Sequence, residues 1–219
     1  MSYVAPESDL RQPTVSWAAV SAKLAGTPLQ GYEAVFWSLA QQYGVDPNWA
    51  LSYLQWESAF GSRGVSTGNP TNPWDIASYP GQWGQVGSYD AGNGFNAANG
   101  GYAVYPDVST GLEAGFRLWR SYADAGYSSW WASLSRALCG NPDGCGGTWV
   151  NNVIATGGQN AAQWPYDGST APPPSSGAPP SSGTPPRFSF PGLSMLTEPR
   201  TLALLALGLI LVGAGVRRG

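Results

Sequence analysis

Glu57 is the residue whose neighbours best equip it for chemistry. It lies in the run Asp46-Pro47-Asn48-Trp49-Ala50-Leu51-Ser52-Tyr53-Leu54-Gln55-Trp56-Glu57-Ser58-Ala59-Phe60-Gly61. Ala50, Tyr53, Leu54 and Glu57 recur at i, i+3, i+4 and i+7, so a helix through this run carries them on one face. A carboxylate then stands where the pattern asks for an apolar side chain. Burial disfavours the charged form, so its pKa is expected to rise, as a general acid working near neutral pH requires. The competing reading is a glutamate held in a local salt bridge at a fraying helix end.

Absences narrow the chemistry. The chain has no histidine, which removes Ser-His-Asp and Cys-His nucleophilic sites and His-rich zinc centres. Neither a phosphate-cradling P-loop nor an EF-hand calcium loop is spelled out; carboxylates alone could still bind a metal, but no metal or cofactor is expected. What survives is chemistry done by carboxylates, tyrosines and amides, with glycoside cleavage the leading reaction of that kind. Charged residues are 11% of the chain, the net charge is −3 and Lys23 is the single lysine. The clustered cations of a nucleic-acid face are missing, so nucleic acid is not an expected partner. Eleven tryptophans and eleven tyrosines offer flat surfaces for the C–H faces of sugar rings, beside the share that must build a core.

The elements that position Glu57 follow from caps and periodicity. Asp46 reads as an N-cap, Pro47 as the first helical position and Gly61 as the stop. Residues 1–30 read as an N-terminal arm with one short helix, Trp17 to Leu24. Gly31 to Tyr43 is a helix with Val35, Phe36, Leu39 and Ala40 on its apolar face. From Gly61 to Gly101 the chain is rich in glycine and asparagine, with Trp74, Tyr79, Trp83, Tyr89 and Phe95 interleaved. That composition predicts a long loop lobe with short strands, and aromatic density argues for order. Tyr102 to Pro106 is extended, and Thr110-Gly111-Leu112-Glu113 has the capping-box pattern of a helix faced by Leu112, Phe116, Trp119 and Ala123. Ser129 to Leu138 and Trp149 to Thr156 are further helices. The fold class is mainly α, with a catalytic domain over residues 31–165.

The ends of the chain read differently. Cys139 and Cys145 bracket Gly-Asn-Pro-Asp-Gly, a loop short enough for a disulfide staple or for two free thiols. The first residues lack the basic start and apolar stretch of a secretory signal. Residues 166–198 form a Pro/Ser/Gly-rich linker. Residues 199–219 hold an uncharged run, Thr201 to Val216, which as a helix would span roughly 24 Å. With Arg200 before it and Arg217 and Arg218 after it to snorkel, it reads as a single transmembrane anchor in the lipid bilayer. The arginine balance favours the domain outside and the last residues in the cytoplasm.

Three segments in order carry a resemblance. Gln55-Trp56-Glu57-Ser58-Ala59-Phe60-Gly61 resembles the helix-end Glu-Ser-x-x-Gly of glucosaminidase-type, lysozyme-like peptidoglycan hydrolases of bacteria and phages. Asn72-Pro73-Trp74-Asp75-Ile76 is similar to that family's Asn-x-aromatic-Gly-Ile segment, and Tyr102-Ala103-Val104-Tyr105-Pro106-Asp107 to its Tyr-Arg-x-Tyr-x-Ser segment. The similarity covers residues 31–160. It implies a lysozyme-like α-helical fold that cuts peptidoglycan glycan strands, with Glu57 as the acid protonating the leaving oxygen. It also implies Tyr105 at the cleft as an aid to the transition state, with Asn72 and Trp74 bordering sugar subsites. Tyr79, Trp83 and Tyr102 join them as candidate substrate-binding residues.

The departure is Asp75, where the family usually has glycine. Two-carboxylate hydrolysis needs a second acid about 5–9.5 Å from the first, and Asp75, Asp90 and Asp107 are candidates, with Asp75 first because it sits inside a family motif. A turn aspartate capping a helix is the plain alternative for Asp75. Without a second carboxylate, Glu57 would act with the substrate's own N-acetyl group or 6-hydroxyl, the latter giving a lytic transglycosylase. The tail from Glu198-Pro199-Arg200 to Arg217-Arg218 resembles a Pro-Glu-Pro-type sorting tail of exported bacterial proteins. Because no signal precedes it, a phage lysin held in a host membrane or membrane-containing virion is expected instead. A glycan-binding module and a structural virion protein are the competing functions.

Overall fold

A computed structural model of the chain describes residues 5–79, 81–92, 101–139 and 147–169. The described chain is mainly helical. In order it forms α1 (Trp17–Leu24), α2 (Glu33–Tyr43), α3 (Pro47–Glu57), a 3₁₀ turn (Gly64–Thr67), β1 (Gly87–Tyr89), β2 (Tyr102–Val104), α4 (Val108–Asp124), α5 (Trp130–Cys139) and α6 (Thr148–Gln163). The strands pair antiparallel, with Gly87 opposite Val104 and Tyr89 opposite Tyr102. Ala77 adds an isolated bridge to Tyr102.

Helix α3 is the centre of the molecule, packed on α6, α1 and α2. Its Trp49, Ala50, Leu51 and Leu54 have no exposed surface. The Trp49 ring meets Trp119 of α4 and Trp130 of α5 edge-on, at 5.0 and 5.2 Å between centroids. Such T-shaped pairs add about 0.5–1.5 kcal/mol beyond burial. A buried amide network fixes the register of α3 on α6. Asn48 donates to the carbonyl of Gly157 at 2.9 Å and accepts from Asn160 at 3.1 Å. Gly157 is required here, because a Cβ on it would overlap the Trp130 ring.

The cap of α3 forms as expected: the Asp46 carboxylate accepts from the Asn48 N–H at 2.9 Å. Its end comes earlier than Gly61. Ser58 and Phe60 both donate their N–H to the Leu54 carbonyl, at 3.1 Å each, which closes the helix at Glu57. The chain then leaves through Ala59 and Phe60, both left-handed at φ 47° and 57°. Helix α4 likewise starts at Val108 and not at Thr110. Asp107 is its N-cap, accepting from the Thr110 N–H at 2.7 Å, and a carboxylate outcompetes a hydroxyl at the positive end of a helix. Glu113 does not complete a capping box; it accepts from the Tyr43 hydroxyl at 2.6 Å and pairs with Arg117 at 2.7 Å. Helix α6 runs on to Gln163, past the expected end at Thr156.

Residues 5–30 are no detached arm. Leu10, Val15, Val20, Leu24 and Leu29 lie in the core. Asp9 bridges Ser129 and Val15 bridges Pro165, so the segment joins both α5 and the exit of α6. The domain correspondingly extends past 165, with Tyr166 donating its N–H to the Thr14 carbonyl at 3.2 Å. Cys145, the rest of the linker and the anchor segment lie outside the described residues. Among the described residues no helix is long and apolar enough to cross a membrane.

Candidate active site

Glu57 is the last residue of α3, partly buried, on the edge where the helix gives way to the loop lobe. Its carboxyl pKa is pushed up to about 7, first by burial and then by the negative charge of Asp75. No hydrogen bond among the described residues reaches that carboxyl group. The salt-bridge alternative is therefore not what the structure holds; the described ion pairs are Arg11–Asp9, Arg117–Glu113 and Arg120–Asp124.

Asp75 lies on the loop side, near enough for its charge to act on Glu57. Its pKa is pushed up to about 6 by burial, opposed by a hydrogen bond from Ser66 at 2.8 Å. Its backbone is left-handed at φ 53°, the conformation that glycine adopts freely and that aspartate holds at a cost. The turn thus demands a glycine-like backbone at position 75, and this chain spends strain there to place a carboxylate. Strain at a non-glycine residue persists only where surrounding contacts over-determine it.

Those contacts are supplied by Asn72 and Ser58. Asn72 is fully buried, donates its side-chain amide to the carbonyls of Ile76 and Ala103 at 2.9 and 3.0 Å, and accepts from the Ile76 N–H at 3.0 Å. Its amide is consumed in clamping the 72–76 turn and is not presented to a sugar. Ser58 donates to the Pro73 carbonyl at 2.7 Å, which pins the end of α3 to the same turn. One hydroxyl and one amide therefore tie the end of α3 to the turn that carries Asp75.

No family model matches this chain, and no curated protein matches it.

Several sequence-expected residues sit elsewhere. Trp74 belongs to the core, 2% exposed, with its ring 5.4 Å from Phe116 and 6.0 Å from Tyr53. It packs face-on against Gly115, where a Cβ could not fit, so it is no sugar platform. Tyr105 is also core, packed on α4 beside Gly111 and 2% exposed, and burial alone raises its phenol pKa. Tyr102 is buried in β2. Tyr79 and Trp83 are partly buried in the loop lobe, where sequence placed them. Asp107 is occupied as the cap of α4, and Asp90 accepts from the Gly92 N–H at 2.8 Å in its own turn. Asp75 is the candidate second acid that the structure brings to Glu57.

Tyr122, Trp149 and Ser66 were not singled out by sequence, and Tyr53 and Ser58 were read only as a helix-face residue and a motif residue, with no role at the site. Tyr53 lies one turn before Glu57, and its ring meets Trp119 at 4.7 Å and Trp149 at 5.6 Å. Burial raises its phenol pKa, and the charges of Glu57, Asp75 and Tyr122 raise it further, so these groups share one space. Tyr122 is pushed up to about 12 by burial, with Tyr79 adding to the rise and Arg136 opposing it. The i−4 spacing to Glu57 was the available signal for Tyr53. Ser66 had none. A cavity of about 390 Å³ lies apart from the carboxylates, beside Trp37, Val45, Pro47 and Tyr166, and no acidic residue lines it. Among the described residues no cluster of three metal-ligating side chains occurs.

Proposed function

We propose that this chain is a lysozyme-like glycosidase that hydrolyses β-1,4 bonds in peptidoglycan glycan strands. The observation that carries the reading is a pair of partly desolvated carboxylates, Glu57 at the end of α3 and Asp75 in the turn that Ser58 ties to it, near enough for the charge of Asp75 to raise Glu57, with pKa values pushed up to about 7 and about 6. Glycoside cleavage uses two such carboxylates with opposite duties. Glu57, the higher, donates its proton to the leaving glycosidic oxygen as the C1–O bond breaks. Asp75, the lower, takes a proton from water as the water oxygen bonds to C1. Each turnover thus moves one proton from acid to sugar and one from water to base, and exchange with solvent resets the pair. Tyr53, one turn before Glu57, packs edge-on against Trp149 and puts aromatic side chains next to the proposed acid's helix turn.

The domain is proposed to act at a lipid bilayer through the 199–219 anchor, as a phage lysin or virion-associated enzyme. That part of the reading rests on the sequence of the tail. The test is mass spectrometry of purified peptidoglycan after digestion with the full chain and with its Glu57→Gln variant. New reducing ends from the parent alone support a hydrolase with Glu57 as acid. Anhydro-sugar ends would reassign the reaction to a lytic transglycosylase, and intact glycan from folded parent would reduce the chain to a glycan-binding or structural protein.

A further inference from the structure

If Glu57 and Asp75 are acid and base, something must make them unequal, and the structure holds one group that does. Ser66, in the 3₁₀ turn, is fully buried. Its Oγ lies 2.8 Å from Asp75 Oδ1 and 3.1 Å from the Asn72 carbonyl oxygen. A hydroxyl has one proton, so these two acceptors compete for it. With Asp75 ionised, the proton turns to the carboxylate. With Asp75 protonated, its O–H can donate to Ser66 Oγ while the serine proton swings to the Asn72 carbonyl. Both protonation states of Asp75 are then partnered without any heavy atom moving. Glu57 has no such partner among the described residues.

We propose that Ser66 is a positioning residue that assigns the base role to Asp75, by donating to its ionised form and accepting from its protonated form. The inference rests on the glycosidase reading above. The carbonyl that takes the serine proton also accepts the Asp75 N–H, at 3.3 Å, so Ser66 is tied to the backbone that sets the left-handed turn. The titratable groups on which the charge of Asp75 acts are Glu57 and Tyr53 of α3, and Tyr122 of α4 acts on Tyr53 in turn. None of the described ion pairs involves Glu57 or Asp75, which leaves the Ser66 hydroxyl as the described donor to the pair.

The experiment is a pH–rate profile of the full chain on purified peptidoglycan, for the parent, Ser66→Ala and Ser66→Thr. Ser66 partners both forms of Asp75, but its bond to the ionised carboxylate is charge-assisted and the stronger of the two, so Ser66→Ala should move the acidic limb up by about one pH unit and cut the rate near pH 5 about tenfold. The alkaline limb and KM should stay put, and Ser66→Thr should restore the parent profile. An acidic limb superimposable on the parent's would overturn the assignment. Carbon-13 NMR titration of the Asp75 carboxyl in the same proteins reads its midpoint without turnover: higher in Ser66→Ala supports the assignment, and an equal midpoint overturns it. Should Ser66→Ala fail to fold, Ser66→Cys, a weak donor, takes its place with both readouts. A parent that leaves glycan intact overturns the glycosidase reading, while the NMR midpoint still decides whether Ser66 holds Asp75.

Discussion

Glu57 and Asp75 lie within electrostatic reach of one another in regions built by opposite means. Glu57 ends a helix whose other side is locked by Trp49, Leu51, Leu54 and the Asn48–Asn160 amides. Asp75 sits in an irregular turn with a left-handed backbone, held by side-chain bonds from Asn72, Ser58 and Ser66. The helix positions its carboxylate through packing, which is non-directional and redundant. The turn positions its own through a few directional bonds, each of which is singly decisive. Core mutations should therefore act on stability first, and turn mutations on the chemistry.

The largest expected effect breaks the helix side of that comparison. Glu57→Gln should lower glycan cleavage by about 10²–10⁴-fold, the usual contribution of a general acid, measured as reducing ends released. The same variant should be more stable than the parent at pH 8. The folded pKa of Glu57 is raised, from 4.5 to about 7. Its protonation therefore favours the folded state below the unfolded pKa, and that contribution is lost as pH rises through about 7. Glutamine removes the loss, so denaturant melts should show a gain of up to about 3 kcal/mol at pH 8 that vanishes near pH 4.

Trp74→Ala should cost about 3–5 kcal/mol in urea unfolding, the range for deleting a buried aromatic. Trp74→Phe should keep most cleavage, because the ring fills core and touches no sugar. If Trp74→Phe instead raised KM tenfold with stability intact, Trp74 would belong to the cleft after all. Asn72→Ala should cost about 1–3 kcal/mol for the buried groups it orphans, and should depress kcat more than that loss explains. The activity profile of the parent should be a narrow bell between about pH 6 and pH 7, with Asp75 ionised above the lower limb and Glu57 protonated below the upper. The smallest effect is at Asp107: its replacement by Ala should cost about 0.5–2 kcal/mol of stability and leave the pH profile unchanged, as a helix cap and not an acid.

How legible this was in the sequence depended on range. Helix α1 was read to its bounds, and α3 was marked by Asp46 and Pro47, because caps and periodicity are local signals. Glu57 stood out as a break in an apolar face. The core role of Trp74 was hidden, since nothing near it in sequence reveals that Gly115 offers its ring a flat seat forty residues on. Asn72 was misread for the same reason: its partner Ala103 lies across the loop lobe. The N-terminal segment looked like an arm because, outside α1, it joins the fold through isolated bridges and single core side chains, which leave no periodic trace. Ser66 is a common residue in a glycine-rich stretch, and only the folded turn brings it to Asp75.

The pairing of Val15 with Pro165 has a mechanical side. Two backbone bonds flank it, Ser16 N–H to the Trp164 carbonyl at 3.1 Å and Tyr166 N–H to the Thr14 carbonyl at 3.2 Å. Any pull on the chain beyond Ser169 enters the domain at this strap. Thr14 passes the load to Asp46 through its hydroxyl, at 2.7 Å, and so to the start of α3. Glu57 is at the other end of that helix, about 15 Å away at 1.5 Å per residue. A tethered domain would thus take tension at its hinge end while the carboxylates at the far end stay slack.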